Sequence, residues 1–261
     1  MQPKFLFTGR TDKYWLRLLA TATAFSLFGF SGLVLRFVVF PPLKLIYRDH
    51  EIRKRKARFC IHLAFRTFIG FMHKTGIYTY NFQDQEKLRR PGQLILANHP
   101  SLIDVVFLIS RIPNANCIVK ASLFRNPFMR GAVNIAGYIP NDGPEKIIEM
   151  AAKALKNGES IVLFPEGTRS VPGRPFKFQR GAAYMALRSG VTPTLVTITC
   201  NPPMLMKNIP WYNIPLSRPH FQFKVTESSS FLQVVEKDET PIVARKIIQE
   251  LKTFFTEDCT A

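Results

Sequence analysis

The residues best suited to chemistry are a histidine and an aspartate five positions apart. His99 and Asp104 stand between two short apolar runs, residues 94–97 and 105–109, which predicts a strand, a polar turn and a helix. A carboxylate at this spacing can fix the imidazole ring and leave its other nitrogen free to accept a proton near neutral pH. A capped helix with an incidental histidine explains this short stretch equally well.

A second polar turn follows the apolar run at residues 160–164. Its residues are Glu166, Gly167, Thr168 and Arg169, which offer an acceptor, close backbone approach, a hydroxyl and a planar guanidinium. Alone, this turn would indicate an ion pair at a sheet edge. Ligands of open α/β sheets gather at the carboxyl ends of strands, so the two turns together predict one site.

The elements that must position these turns alternate between strands and helices after Gly76. The predicted strands are residues 77–82, 93–97, 116–120, 161–164, 193–199 and 221–226. The predicted helices are residues 104–110, 122–136 with an interruption near Pro127, 144–157, 178–188 and 240–255. This order predicts the α/β class: a mixed, largely parallel sheet flanked by helices. Residues 201–219, rich in proline, predict a packed loop in preference to a lipid-facing flap.

The N-terminal part predicts a two-helix membrane-associating motif, residues 1–75, ahead of an α/β domain of residues 76–261. Residues 18–35 carry no charge and as a helix rise about 27 Å, close to the roughly 30 Å of a bilayer core, so they either span it or lie in one leaflet. Pro41-Pro42 predicts the end of this helix. The basic cluster at residues 53–58 opens a second, amphipathic helix, predicted from Phe59 to about His73. Its polar residues Arg58, His62, Arg66 and His73 lie near one face, as in a helix at a lipid interface.

The charge balance predicts a partner for the N-terminal part. The chain holds 36 basic and 18 acidic residues, and residues 1–74 hold 14 basic residues against three acidic ones. A nucleic-acid-binding arm would carry a similar excess, but the adjoining apolar stretches favour a membrane with anionic lipids and no nucleic acid. The dense basic cluster predicts an inner (cytoplasmic) membrane location, with the active site facing the cytoplasm. The remaining positive charge suits a solvated face or an acidic protein partner.

The cysteines argue against metal or disulfide chemistry. Cys60, Cys117, Cys200 and Cys259 are far apart and show no paired spacing. This pattern predicts reduced thiols, no zinc site and no disulfide framework.

The two polar turns also resemble the defining blocks of a known family. Asn98-His99 with Asp104, followed about 60 residues later by residues 164–170 (FPEGTRS), resemble those of the glycerolipid acyltransferases, which include the 1-acylglycerol-3-phosphate acyltransferases. The resemblance covers roughly residues 59–256. It implies transfer of a fatty acyl group from acyl-CoA or acyl carrier protein to a lipid hydroxyl, with no cofactor and no acyl-enzyme. His99 is the implied general base and Asp104 its orienting partner.

The resemblance also implies an acceptor site. The implied binding residues are Asn98, Lys120, Gly137, Glu166, Gly167, Thr168, Arg169 and Arg180. Two blocks depart from the family pattern: residues 137–143 lack its phosphate-binding arginine, and residues 193–197 lack a second proline. The resemblance implies 1-acylglycerol-3-phosphate or another lysolipid as the leading acceptor, and the two departures introduce an alternative. The alternative is a phosphate-free lipid such as a lyso-ornithine lipid or a polyene or glycolipid intermediate.

Other classes of function account for less of the sequence. An esterase or thioesterase would favour a G-x-S-x-G nucleophile turn, which the sequence does not contain. A non-enzymatic basic lipid- or nucleic-acid-binding protein explains the charge of the N-terminal part. It does not explain why His, Asp, Glu and Arg combine in two turns after buried strands.

Overall fold

The computed structural model describes residues 13–227 and 241–260. The strands within these ranges are β1 Thr79–Gln83, β2 Leu94–Ala97, β3 Ala115–Lys120, β4 Ile139–Asn141, β5 Ser160–Leu163, β6 Thr194–Asn201 and β7 His220–Glu227. They form one sheet in the order β1-β7-β6-β2-β5-β3-β4, in which β6–β7 is antiparallel and the other neighbours are parallel. The predicted mixed, largely parallel sheet is confirmed. Sequence reasoning missed β4, a three-residue edge strand that contains a proline.

Helices cover both faces of the sheet. They are α1 Tyr14–Val34, α2 Phe40–Ile46, α3 His50–Lys74, α4 Asp104–Ile109, α5 Arg130–Ile135, α6 Pro144–Lys156, α7 Gly181–Ser189 and α8 Pro241–Thr260. The side chains of α1 to α5 enter one hydrophobic cluster and those of α6 to α8 enter a second. Strand β2 contributes to both, because successive side chains of a strand point to opposite faces: Ile95 and Ala97 to the first, Leu94 and Leu96 to the second. Such a strand is buried on both sides, as in parallel sheets.

The prediction that Pro41-Pro42 ends the first helix is wrong. A π-helical turn, Leu35–Val39, joins α1 to α2, and both prolines lie in the first turn of α2. Each proline lacks the amide hydrogen that would donate to the preceding turn, and the run departs from regular α-helical geometry at the π-helical turn directly before them. The helical run Tyr14–Ile46 has 33 residues and is long and apolar enough to cross a membrane.

Helix α3 begins earlier than predicted and buries two of its polar side chains. Asp49 caps it by accepting hydrogen bonds from the backbone N–H groups of Glu51 and Ile52. Arg58 was expected on the polar face but is buried, and its Nη1 lies 3.0 Å from Glu159 Oε2. His62 is also buried and donates from Nδ1 to the Ile109 carbonyl at 2.8 Å. These two side chains therefore join α3 to the α/β part of the chain.

The parallel direction of β2 to β6 places their carboxyl ends at one edge of the sheet. The two polar turns follow β2 and β5, which are hydrogen-bonded neighbours. The segment between β6 and β7 lies at the same edge, because Asn201 at the end of β6 pairs with His220 at the start of β7. This edge is called the catalytic edge below.

Candidate active site

His99 and Asp104 form a hydrogen-bonded pair at the catalytic edge. His99 Nδ1 lies 2.8 Å from Asp104 Oδ2, and the ring is partly accessible whereas the carboxyl is fully buried. A carboxylate that accepts from Nδ1–H selects the tautomer in which Nε2 carries a lone pair. In a partly accessible ring this lone pair can accept a proton, as a general base does.

Two donors and burial act on Asp104 in opposite directions. Burial raises the pKa of the Asp104 carboxyl, while the hydrogen bonds from His99 and from the Ser101 N–H, at 2.6 Å, favour the ionised form. Both donors reach Oδ2, whereas Oδ1 is buried without a hydrogen-bond partner among the described residues. The carboxyl is thus aimed at His99 by the helix start on which it sits.

The second polar turn is bonded directly to the first. Glu166 Oε1 accepts from the His99 backbone N–H at 3.1 Å and from the Ser170 hydroxyl at 2.6 Å. Ser170 N–H donates to the His99 carbonyl at 2.7 Å. The Phe164 ring stacks on the imidazole, with centroids 4.1 Å apart and planes 19° apart. His99 is therefore held on its backbone, on Nδ1 and on one ring face.

Sequence reasoning did not assign roles to Phe164 or Ser170. Both lie inside the block FPEGTRS, so the signal was present as position within the motif. Their contacts could not be inferred, because these contacts depend on the register of β2 against β5, in which Leu96 pairs with Leu163.

Asn98 stabilises the first turn from within the fold. Its buried side-chain amide donates to the Ile198 carbonyl at 2.8 Å and accepts from the Ile198 N–H at 2.7 Å. The predicted role was substrate binding. The side chain instead ties the exit of β2 to β6, since both polar atoms of the amide are engaged by backbone.

A cleft of about 1080 Å³ opens beside the second turn. Its lining includes Phe164, Glu166, Gly167 and Thr168 of the second turn, and Arg180 with the start of α7. Gly167 has φ +66°, a left-handed conformation that favours glycine, so the turn depends on this residue. His99 does not line this cleft itself, but Phe164 both lines the cleft and covers the imidazole. The predicted residues Glu166, Gly167, Thr168 and Arg180 thus come together.

Comparison with known proteins agrees with this geometry. Residues 79–201 match the family model described as Acyltransferase. A chloroplastic 1-acyl-sn-glycerol-3-phosphate acyltransferase of Arabidopsis thaliana is 32% identical over 128 residues, 46% of this chain and 36% of that protein. A 1-acyl-sn-glycerol-3-phosphate acyltransferase of Pseudomonas aeruginosa is 28% identical over 188 residues, 70% of this chain and 67% of that protein. Together these matches support the glycerolipid acyltransferase family.

The fold is also that of a solved structure. The crystal structure of the 1-acyl-sn-glycerophosphate acyltransferase PlsC from Thermotoga maritima superposes with a TM-score of 0.62 at 18% identity. The match covers 97% of this chain and 100% of that one. By contrast, this chain spans little more than a third of the length of the plant relative.

Three residues expected at the acceptor site lie elsewhere or are already hydrogen-bonded within the protein. Arg169 uses Nη1 to donate to the carbonyls of Leu205 and Met206, at 2.9 and 2.8 Å. Gly137 precedes the amino end of β4, and a Cβ there would lie 2.5 Å from Lys54 Cδ. Gly137 therefore serves close packing on α3. Lys120 ends β3 at the catalytic edge with an exposed side chain, outside the set that lines the cleft.

Nucleophilic thiols and metal ligands do not assemble here. Burial raises the pKa of Cys200 to about 12 and that of Cys259 to about 11, so both remain protonated thiols near neutral pH. Among the described residues, no three His, Cys, Asp or Glu side chains are grouped to hold a metal ion.

Glu166→Gln is expected to change how stability depends on pH. Burial raises the pKa of the Glu166 carboxyl above its ordinary 4.5, against the hydrogen bonds from Ser170 and the His99 N–H. The folded state then holds this proton more tightly than the unfolded state. The stabilisation of the folded state by this proton is complete below about pH 4.5 and is lost as the pH rises through the raised pKa of Glu166.

The glutamine variant keeps an oxygen acceptor for both donors but has no proton to lose. Its free energy of unfolding relative to the native chain should therefore increase as pH rises from below 4.5 toward neutrality. Denaturant titrations followed by circular dichroism across this pH range measure the difference. A difference that stays constant with pH would contradict the assigned burial of the carboxyl.

Proposed function

We propose that the chain transfers a fatty acyl group from a thioester to the hydroxyl of a lysolipid, with His99 as general base. The observation that carries this proposal is the His99–Asp104 pair held against Glu166 and Ser170 at the carboxyl ends of β2 and β5. The pair supplies a positioned proton acceptor, and the adjoining cleft supplies room for an acceptor headgroup. Acyl-CoA or acyl carrier protein is the proposed donor.

The proposed step is direct attack. The acceptor hydroxyl attacks the thioester carbonyl while His99 Nε2 takes its proton, so a C–O bond forms and the C–S bond breaks. The thiolate leaves and takes the proton from the imidazolium, which Asp104 stabilises meanwhile. Such a step uses no protein nucleophile, which agrees with the protonated cysteines beside the turn. It also agrees with the burial of Ser101.

The proposed acceptor is 1-acylglycerol-3-phosphate, the substrate named for the relatives above. Arg180 is exposed and lines the same cleft as Glu166 and Thr168, so its guanidinium can bind a phosphate there. Glu166 and Thr168 can hydrogen-bond the glycerol part of the acceptor. A phosphate-free acceptor is the second candidate, because Asn141 and Gly143, which also line the cleft, add no cation to it.

Arg180→Ala is expected to raise KM for a phosphate-bearing acceptor about 10- to 100-fold with kcat little changed. A hydrogen bond to a charged group contributes about 1.5–3 kcal/mol, and Arg180 does not touch His99. Steady-state kinetics with 1-acylglycerol-3-phosphate measure the effect. Arg174→Ala is the matched control, since Arg174 is exposed on the same connecting segment but does not line the cleft. Equal KM values for both variants would contradict a phosphate site at Arg180.

The acceptor is identified by a panel of lysolipids. Purified protein is incubated with labelled acyl-CoA or acyl carrier protein and lysolipids with and without phosphate, and the products are identified by mass spectrometry. Preferential acylation of 1-acylglycerol-3-phosphate supports the leading proposal. Preference for a phosphate-free acceptor supports the second candidate, and transfer to none of them contradicts both.

The helical run Tyr14–Ile46 supports a proposal of membrane attachment. Large apolar side chains such as Trp15, Leu19, Phe30 and Phe37 are exposed along it. With the basic start of α3 facing anionic headgroups, this run would hold the enzyme at the membrane from which lysolipids are taken. We further propose that this is the inner membrane and that the catalytic edge faces the cytoplasm.

A further inference from the structure

The segment between β6 and β7, residues 202–219, has one buried and one exposed side; it is called the crossing loop here. Met204, Leu205 and Ile214 enter the hydrophobic cluster beneath α1 to α5. Large side chains point outward from the same loop: Ile209, Trp211, Tyr212 and Leu216 are 37%, 41%, 57% and 46% exposed. An anchored loop that exposes four large apolar or aromatic side chains indicates a surface with a partner.

The crossing loop is joined to helix α1. The buried Arg17 side chain of α1 donates to the carbonyl of Pro215 at 2.9 Å and to that of Leu216. The rings of Phe25 and Trp211 lie with centroids 5.7 Å apart. The exposed side of the loop is therefore continuous with the α1 surface that carries Trp15 and Leu16, 78% and 60% exposed.

The charge of this combined surface selects its partner. Residues 13–46 and 202–219 contain six cations and no acidic residue. Exposed apolar side chains accompanied only by positive charge match a bilayer with anionic headgroups better than they match a protein surface. Trp and Tyr, which the loop exposes side by side, are the residues that favour the boundary between headgroups and acyl chains.

We propose that the crossing loop is a second lipid-contacting element, which inserts Trp211 and Tyr212 into the headgroup region beside α1. This inference rests on the proposed membrane attachment. It adds the position of the catalytic edge relative to the bilayer. A chain held by α1 alone could place the sheet at many heights above the bilayer. Contact through the loop fixes the catalytic edge at the lipid surface.

The buried side of the crossing loop is hydrogen-bonded to both polar turns, the one after β2 and the one after β5. The Leu205 carbonyl accepts from the Leu102 N–H at 3.1 Å and from Arg169 Nη1 at 2.9 Å. Leu102, in the turn that contains His99, and Arg169, in the turn that contains Glu166, therefore hold the loop. This gives Arg169 a role as a positioning residue between the lipid-contacting loop and the site.

The sequence provides its own depth reporters, because its two tryptophans are Trp15 in α1 and Trp211 in the loop. Trp15→Phe leaves Trp211 as the reporter of the loop, and Trp211→Phe leaves Trp15 as the reporter of α1. Each full-length variant is mixed with vesicles of phosphatidylcholine and phosphatidylglycerol whose acyl chains are brominated near the headgroup. Emission is compared with that in unbrominated vesicles.

The expected result is quenching and a shift to shorter wavelength for both reporters. Quenching of Trp15 without quenching of Trp211 would overturn the role of the loop and leave membrane attachment standing. Quenching of neither would contradict membrane attachment itself and this inference with it. A shift of Trp211 that depends on protein concentration without vesicles would assign the surface to a second copy of the chain and overturn the lipid assignment. Quenching of Trp211 in a protein that transfers no acyl group would uphold this inference while the proposed activity fails.

Discussion

Replacing His99 with alanine is expected to lower kcat for acyl transfer about 10²- to 10⁴-fold, the contribution typical of a positioned general base. Asp104 holds the imidazole at Nδ1, and the Phe164 ring covers one of its faces. Glu166 and Ser170 accept hydrogen bonds from the His99 backbone N–H. The imidazole therefore presents Nε2 to the acceptor hydroxyl in one orientation. Initial rates of thiol release and of lipid ester formation measure the loss.

The control for this experiment is a second histidine that has no role in the site. His220→Ala serves because His220 is exposed at the start of β7 and contacts the Thr79 hydroxyl. It should transfer at the rate of the native chain. If the His99 variant kept more than about a tenth of the native kcat, another base would have to be sought. Vesicle binding by this variant should match that of the native chain.

Asp104→Asn is expected to lower kcat by a similar factor, up to about 10⁴-fold, as for other His–Asp pairs in which the wrong tautomer results. An amide NH₂ facing Nδ1 would donate to it, so that Nε2 would carry the hydrogen and lose its capacity as a base. The substitution keeps the size of a fully buried side chain. Kinetics at several pH values, with circular dichroism to verify folding, measure the result.

Asp142→Asn is the matched control, because Asp142 is exposed just after β4 at the same edge of the sheet. It should leave kcat within the error of the native value. A fully active Asp104→Asn variant would show that the carboxylate only caps α4, and would leave His99 without its assigned partner. A variant that does not fold leaves the pair testable through Asp104→Glu, whose longer carboxylate displaces the imidazole and should lower kcat while keeping the charge.

The alternation of strands and helices was predictable because buried strands are recognisable in the sequence as continuous apolar runs bounded by turn residues. Residues 94–97 and 161–163 illustrate this, and the strands there lie side by side as the two-turn site requires. Strand β4 was missed because three residues at an edge give no periodic pattern.

The side-chain partners at long range were not predictable. Arg169 was expected to face acceptor phosphate, but its partners lie 36 and 37 residues later in a loop whose path the sequence does not specify. The polar residues of α3 were expected at a lipid interface because helical periodicity identifies a face but not what covers it. Arg58 finds Glu159 at the amino end of β5, and that pairing depends on the complete sheet.

The most direct test of the central claim is a paired incubation of the native chain and the His99→Ala variant. Each purified protein receives an isotopically labelled acyl thioester and 1-acylglycerol-3-phosphate in mixed vesicles, and both the lipid product and the intact protein are analysed by mass spectrometry. The native chain should form labelled diacyl product together with an equal amount of free thiol, carry no label itself, and lose this activity when His99 is replaced. Equal product from both proteins, no product from the native chain, or a labelled acyl-protein intermediate would contradict direct transfer by the His99–Asp104 pair.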